Sequence, residues 1–360
     1  MRIPDYGGGS IANLMAEVER RLGTTPPLPG LHPDLAAEIP DADTYVVVLF
    51  DGLGDHQLAH PAASSLAADR VGRLDACFPT TTAVSMASMA TSLAPAGHGI
   101  LSHFLHLPTG TVNALKWRTI SGKDSGIDTE PFLPQTVWER VAAAGKEPIT
   151  VQPASFEGTP LSRLLYRGAR FEGVWSASDW IDATVSMAGT SGRLIFAYWP
   201  MVDVAAHTAG QHSDVYRSQL AETDGMWSHL SARLPDGAVA VATADHGHLD
   251  YGRDDREPLD RHGATVFGDP RALFLRTDDD RAARLAAEHP VTLVADPRPL
   301  LGPGDHPGLA DRAPTHALLA DRGRLVIPSF MDDRLVGYHG GLEPEEIEVP
   351  LLVAGSDTQG

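Results

Sequence analysis

The chain has a single cysteine in 360 residues, Cys77, which excludes a disulfide framework within it. No apolar run approaches a membrane span, and the start, MRIPDYGGGS, lacks the apolar stretch of a signal peptide. The expected compartment is therefore the cytoplasm. Basic residues are also scarce: 28 Lys and Arg stand against 47 Asp and Glu, a formal charge of −19. That charge repels phosphate backbones and anionic lipid, so neither a nucleic-acid polymer nor a membrane is an expected partner. A small phosphorylated substrate stays compatible if metal ions supply the positive charge that Lys and Arg do not. Internal repeats and low-complexity segments are missing too, and nothing in the sequence speaks to oligomeric state. What the chain does have is 16 histidines and a 42% hydrophobic fraction, enough for one large core or two modest ones.

Apolar spacing at Ile11, Leu14, Val18 and Leu22 predicts an opening amphipathic helix, and Pro26 to Pro33 reads as a linker. Continuous apolar runs at Tyr45 to Phe50, Arg193 to Tyr198 and Ala238 to Thr243 predict buried parallel strands. Between them come a helix after Thr82, a strand around Val112 to Trp117, a helix from Thr136 to Ala144 and a strand from Pro148 to Val151. Further helices are expected near Ser162 and Trp180, and a long one over Ser213 to Leu234. This alternation predicts an α/β fold with a mostly parallel central sheet. Residues 271–330 differ in texture, with short strands (ALFL, VTLV, RLVIP) around one helix, and read as a small α+β cap insertion. Residues 1–43 then form an N-terminal helix and linker. The catalytic core takes 44–270 and 331–360, where VPLLV (Val349 to Val353) returns to core-strand character.

Three of the best strands end in carboxylates. Tyr45 to Phe50 runs into Asp51-Gly52, Arg193 to Tyr198 is followed by Asp203, and Ala238 to Thr243 leads into Asp245-His246-Gly247-His248. Ligands of open parallel sheets bind outside the carboxyl ends of the strands, so these side chains are expected to converge. An Asp after one strand is usually a turn or cap residue; three of them, two with nearby histidines, favour a metal site. If the segment after Trp199-Pro200 is helical, Asp203 and His207 share a face and can grip one ion. Adjacent Asp245 and His246 can splay around an ion, and His339 lies between the glycines of Gly337-Tyr338-His339-Gly340-Gly341, where chain and metal can approach closely. Oxygen and nitrogen donors without thiolates suit catalytic zinc or manganese rather than a structural finger.

The stretch Phe78 to Gly99, FPTTTAVSMASMATSLAPAGHG, places Thr80, Thr81 and Thr82 directly before a helix of small residues. The first turn of a helix carries free N–H groups and a partial positive charge, and a hydroxyl held there becomes a nucleophile with metal assistance. The plainer alternative is a Thr cap on a buried helix. Residue chemistry does not separate the three threonines.

Taken together, Asp51, Thr82, Asp203-x3-His207, Asp245-His246 and His339 follow the order found in the alkaline phosphatase superfamily. Pro79-Thr80-Thr81-Thr82, the small-residue helix and His98-Gly99-Ile100 resemble its nucleotide pyrophosphatase/phosphodiesterase branch, the type I phosphodiesterase family, over residues 44 to 355. The resemblance implies an alkaline-phosphatase-like α/β/α sandwich and a metal-dependent hydrolase of phosphodiester or pyrophosphate bonds, with a nucleotide among the candidate substrates. It implies two divalent ions, zinc before manganese. Asp203, His207 and His339 would hold one, and Asp51, Asp245 and His246 the other, with Thr82 beside it as nucleophile and covalent phospho-threonine carrier.

The chain departs from that pattern at His103, where the branch has an Asn twenty-one residues after the nucleophile. His103 and Asn113 are candidate substrate contacts, as are His262 and Trp199, the latter by stacking on a base or else by packing at its strand end. His248, His306 and His316 are expected to lie outside the ligand set. A sulfatase would need Cys-x-Pro-x-Arg, and Cys77-Phe78-Pro79-Thr80-Thr81 lacks the Arg; Cys77 is expected to be a buried packing residue. Phosphonoacetate-type phosphonate hydrolases share the Thr nucleophile and ligand set and stand as the alternative. Phosphomonoesterases are a further one, with Lys116 as a stand-in phosphate clamp, and a non-catalytic binding member is the remaining class.

Overall fold

A computed structural model describes residues 2–129 and 131–355. The apolar runs become a seven-stranded sheet in the order Arg70–Asp75, Glu348–Gly355, Ala238–Thr243, Thr44–Phe50, Arg193–Trp199, Glu147–Pro153, Arg170–Val174. Five consecutive strands, from Ala238–Thr243 to Arg170–Val174, pair in parallel. Glu348–Gly355 runs against its neighbours on both sides. Every residue of Thr44–Phe50 and of Ala238–Thr243 is buried, because helices cover both faces and no alternation with polar residues is needed.

The helices fall into two mutually packed groups. Ile11–Arg21 packs on Thr82–Thr91 and Val137–Ala143, while Asp214–Arg233 packs on Ala177–Ala188 and Met201–Ala209. The result is the α/β/α layering. Ile11–Arg21 starts at a reciprocal cap, in which Ser10 accepts from Asn13 N–H and Asn13 accepts from Ser10 N–H. Thr136 and Glu139 make the same arrangement ahead of Val137–Ala143.

A second seven-stranded sheet is antiparallel and joins two distant parts of the chain. Val291–Val294, His316–Ala320, Ala272–Arg276 and Thr265–Asp269 continue into Phe104–Leu107, Gly110–Asn113 and Arg118–Thr119. The 271–330 segment thus shares its sheet with residues 104–119, while Leu325–Ile327 pairs apart from it with Arg256–Pro258. The strand expected over Val112 to Trp117 ends at Asn113. There the side-chain oxygen of Asn113 accepts the N–H groups of Leu115 and Lys116, both at 3.0 Å, and turns the chain, and Trp117 takes a left-handed φ of 52°.

Candidate metal centre

Sheet order positions the centre. Ala238–Thr243, Thr44–Phe50 and Arg193–Trp199 are neighbours in parallel register, with Leu49 opposite Thr243 and Phe50 opposite Trp199. Their carboxyl ends deliver Asp245, Asp51 and Asp203 to one edge. Backbone bonds lock the three loops: Asp51 N–H donates to Trp199 O and Asp203 N–H to Asp51 O, each at 3.0 Å. Asp245 Oδ1 accepts Gly52 N–H at 3.0 Å and His246 N–H at 3.1 Å. Glycine is required at two of these crossings. Gly52 has φ of +76°, and a Cβ there would lie 2.8 Å from both Asp203 Cα and His248 Nε2. A Cβ at Gly247 would lie 2.1 Å from Glu345 O.

The side chains form two groups that could each hold a metal ion, termed ligand groups. Asp51, Asp245 and His246 make one, wholly buried; Asp203, His207, His248 and His339 make the other, with only His248 fully enclosed. The helix expected after Trp199-Pro200 is present as Met201–Ala209, so Asp203 and His207 do share a face, with His207 Nε2 at 3.3 Å from Asp203 Oδ1. His339 arrives from the turn after Gly337–Tyr338, its Nε2 at 3.2 Å from His207 Nε2. In the first group His246 Nε2 lies 3.3 Å from Asp245 Oδ2 and 3.7 Å from Asp51 Oδ1.

Three histidines are oriented alike. His207 Nδ1 bonds Gly337 O at 2.8 Å, His339 Nδ1 bonds Thr80 O at 2.7 Å, and His246 Nδ1 bonds Gly247 O at 3.2 Å. A carbonyl accepts only from N–H, so Nδ1 holds the proton and each Nε2 lone pair turns inward, the arrangement metal-ligating histidines use. Burial drives His339 well below the usual imidazole range, with His246 adding to it, and pushes His248 down to about 3. His339 and His248 are therefore neutral rings rather than cations.

The Asp51 and Asp245 carboxylates are only partly compensated by their neighbours. Burial raises Asp51 well above the usual range, and the Asp245 and Asp203 charges raise it further. Asp51 Oδ1 and Asp245 Oδ2 are buried without a hydrogen-bond partner. Among the described residues the ion-pair partners of Asp51, Asp203 and Asp245 are all histidines. Orphaned carboxylate oxygens beside inward imidazole lone pairs fit divalent cations, which would neutralise charge that burial otherwise penalises by several kcal/mol per ion.

Thr82 opens the helix Thr82–Thr91, and its Oγ1 lies 3.2 Å from His246 Nε2. Thr80 turns the other way, donating to Gly341 O and accepting Gly340 N–H, both at 3.0 Å. Thr81 is the N-cap residue, yet its side chain caps nothing; its backbone O accepts Val84 N–H at 3.0 Å, which leaves the earlier N–H groups of Thr82 and Ala83 for a ligand. Of the three threonines, Thr82 is the one with its hydroxyl at the ligand groups.

Two contacts escaped the sequence reading. His248 places Nε2 at 2.8 Å from Asp203 Oδ1 and so joins the second group. Its signal was the Asp-His-Gly-His run itself, in which an extended chain puts alternate side chains on one side. Tyr198, read only as the end of its strand, donates its hydroxyl to Asp51 Oδ2. The other candidates lie around the groups rather than in them. His103 is half-buried and bonded to Asn113, and Trp199 is buried at its strand end. His262 pairs with Glu288 and Asp260. His306 bonds Phe132 O and His316 pairs with Asp279, both outside the groups. Cys77 is buried, its thiol pushed up to about 12 by that burial.

Over residues 45–266, more than half of the chain, the sequence matches the profile of the family described as type I phosphodiesterase / nucleotide pyrophosphatase. The chain belongs to this family. Membership makes it a hydrolase of phosphorus esters and implies divalent metal ions. No curated protein matches it by sequence. Among solved structures, murine ectonucleotide pyrophosphatase/phosphodiesterase 5 superposes with a TM-score of 0.66 at 18% identity, covering 86% of this chain and 88% of its own. A further structure of that murine protein is of an inactive form in complex with AMP. Phosphonoacetate hydrolase from Sinorhizobium meliloti 1021, in complex with phosphonoacetate, gives 0.64 at 19% identity over 88% of this chain and 90% of its own. At these identities the likeness establishes the fold. Among the described residues of this family member, no helix is long and apolar enough to cross a membrane.

Proposed function

We propose that this family member cleaves a phosphodiester or pyrophosphate bond of a small substrate, a nucleotide among the candidates, with Thr82 as nucleophile. The observation that carries the reading is the Thr82 hydroxyl, held at an uncapped helix start and 3.2 Å from His246 Nε2 in the carboxylate-rich group. Asp51, Asp245 and His246 would hold one divalent ion, and Asp203, His207 and His339 a second, with zinc favoured by the imidazole content. Bound there, the ions supply positive charge that lowers the pKa of a hydroxyl and stabilises charge on entering and leaving oxygens.

The chain's own residues define the rest. The Thr82 hydroxyl gives up its proton to solvent and Oγ forms a bond to phosphorus opposite the leaving oxygen; the bond to that oxygen breaks, and the leaving group takes a proton from solvent. Water then attacks the same phosphorus, the Thr82 Oγ–P bond breaks, and the hydroxyl is restored. The N–H groups at the helix start donate to the non-bridging oxygens, as a fixed dipole can without reorganising. His103 and Asn113 supply further donors on the substrate side, and Trp199 and His262 remain candidate contacts. A buried lone thiol suits the reducing cytoplasm.

Turnover of bis-p-nitrophenyl phosphate, p-nitrophenyl phosphate and phosphonoacetate, each with and without chelator, tests this. Diester hydrolysis should exceed the other two at least about tenfold and vanish on chelation. Phosphonoacetate as the best substrate would replace the reading with a phosphonate hydrolase, and p-nitrophenyl phosphate with a monoesterase. No turnover of any of the three would leave a binding member.

A further inference from the structure

The hairpin of Phe104–Leu107 and Gly110–Asn113 brings two of the polar residues near the centre together. His103 Nε2 and Asn113 Nδ2 lie 2.8 Å apart. The roles of the two atoms follow from the rest of the Asn113 amide. Its Oδ1 already accepts the N–H groups of Leu115 and Lys116, both at 3.0 Å, so the oxygen cannot be exchanged with the nitrogen without breaking two backbone bonds. The group facing His103 is therefore the NH2, a donor only. His103 Nε2 must accept, and the imidazole proton must sit on Nδ1.

The His103 backbone is tied to the ligand turn as well. Its N–H donates to Asp269 Oδ2 at 3.3 Å, and a Cβ added at Gly340, next to the ligand His339, would lie 2.8 Å from Asp269 Cβ. Burial holds the His103 ring down at about 4, with the charges of His207 and Lys116 adding to it, so the ring is neutral near pH 7. Lys116, three residues beyond Asn113, supplies positive charge at the same place.

We propose that Asn113 is a positioning residue that holds His103 as the Nδ1–H tautomer, so that the pair offers anionic phosphoryl or phosphonyl oxygens donors and no acceptor. The one imidazole lone pair is consumed by Asn113. The open positions are His103 Nδ1–H and the second N–H of the Asn113 amide. An imidazole of the opposite tautomer would turn a lone pair toward an anionic oxygen and repel it. This inference rests on the hydrolase reading for the identity of the ligand, and on the geometry alone for the tautomer.

The test uses Asn113→Asp, which keeps an acceptor for Leu115 and Lys116 N–H while facing His103 with an oxygen. Long-range 15N NMR of the full-length wild type should show His103 protonated on Nδ1, and Asn113→Asp should move the proton to Nε2 or add a second one. Inorganic phosphate should bind the variant about tenfold or more weakly, and kcat/KM for the best ester should fall on the order of tenfold to a hundredfold. His103→Asn needs no tautomer, so adding Asn113→Asp to it should cost clearly less than the same change costs in the wild type, the remainder being the lost second N–H of Asn113 and the added carboxylate charge. A wild-type His103 protonated on Nε2 overturns the proposal, as does an Asn113→Asp loss that persists in full beside His103→Asn. If the wild type turns over no ester, the hydrolase reading falls by itself, while the NMR and phosphate binding still decide the tautomer and its effect.

Discussion

The two ligand groups sit side by side on one sheet edge yet are built on opposite principles. Asp51, Asp245 and His246 are carboxylate-rich, wholly buried, and come from the ends of two adjacent core strands. Asp203, His207, His248 and His339 are imidazole-rich, with His207 about one-fifth exposed, and combine a helix, a loop and a distant turn. Neutral imidazoles tolerate burial, whereas adjacent carboxylates do not. The first group therefore stores unfavourable energy that a cation, or a proton on Asp51, relieves, and the second can persist without one. In a centre so divided, one half would depend on a bound ion and the other would be preformed.

That difference can be broken at several points. Thr82→Ala removes the hydroxyl from the carboxylate half and should lower turnover by roughly a thousandfold or more, with metal content and folding nearly unchanged. Activity retained near wild type would refute the nucleophile assignment. Asp203→Asn or His339→Ala attacks the imidazole half and should cut activity about a hundredfold along with metal occupancy, read by elemental analysis of the purified protein. Unchanged metal content in either variant would remove that residue from the ligand set.

A smaller effect of opposite sign is expected at the buried half. Asp51→Asn deletes one of two crowded carboxylates while keeping an acceptor for Tyr198. The metal-free variant should be more stable than metal-free wild type by about 1–3 kcal/mol in denaturant unfolding, although it loses activity. Equal or lower stability would show that the buried carboxylates are not strained.

The smallest effect concerns a histidine that no ion needs. His98 is buried, its Nδ1 accepting Ile100 N–H and its Nε2 bonded to Ser88, and burial pushes it down to about 3, helped by the His306 charge. Its folded pKa lies below the unfolded value of about 6.5, so the unfolded chain takes up a proton first. Stability should thus be undiminished by His98 above about pH 6.5, and be lost as pH falls from there toward 3, by at most about 1.4 kcal/mol per pH unit. His98→Gln should flatten the acid limb of a stability–pH curve, and an unchanged slope would assign that limb to other groups.

Much of the centre was legible in the linear order. The carboxylates follow apolar runs, and a run buried on both faces has one strand direction and one carboxyl end, so Asp51, Asp203 and Asp245 announce themselves locally. Asp203 and His207 needed only the 3.6-residue helical period. His248 and Tyr198 did not stand out, because each finds its carboxylate across a long separation, His248 to Asp203 and Tyr198 to Asp51. The Val112 to Trp117 strand was overextended for a related reason. Apolar pattern cannot register a side chain such as Asn113, whose bonds to Leu115 and Lys116 N–H end the pairing.

By itself, then, the sequence determined the α/β class, the strand ends that bear the carboxylates, the helix that opens at Thr82 and the family. Those features depend on local periodicity, capping chemistry and the order of residue types. The tertiary structure alone decided which strands are neighbours and that residues 104–119 and 265–320 share one sheet. It also decided that His248 completes the imidazole half. Those outcomes depend on contacts between segments tens to hundreds of residues apart, and one chain's local pattern carries no record of which distant surface each will meet.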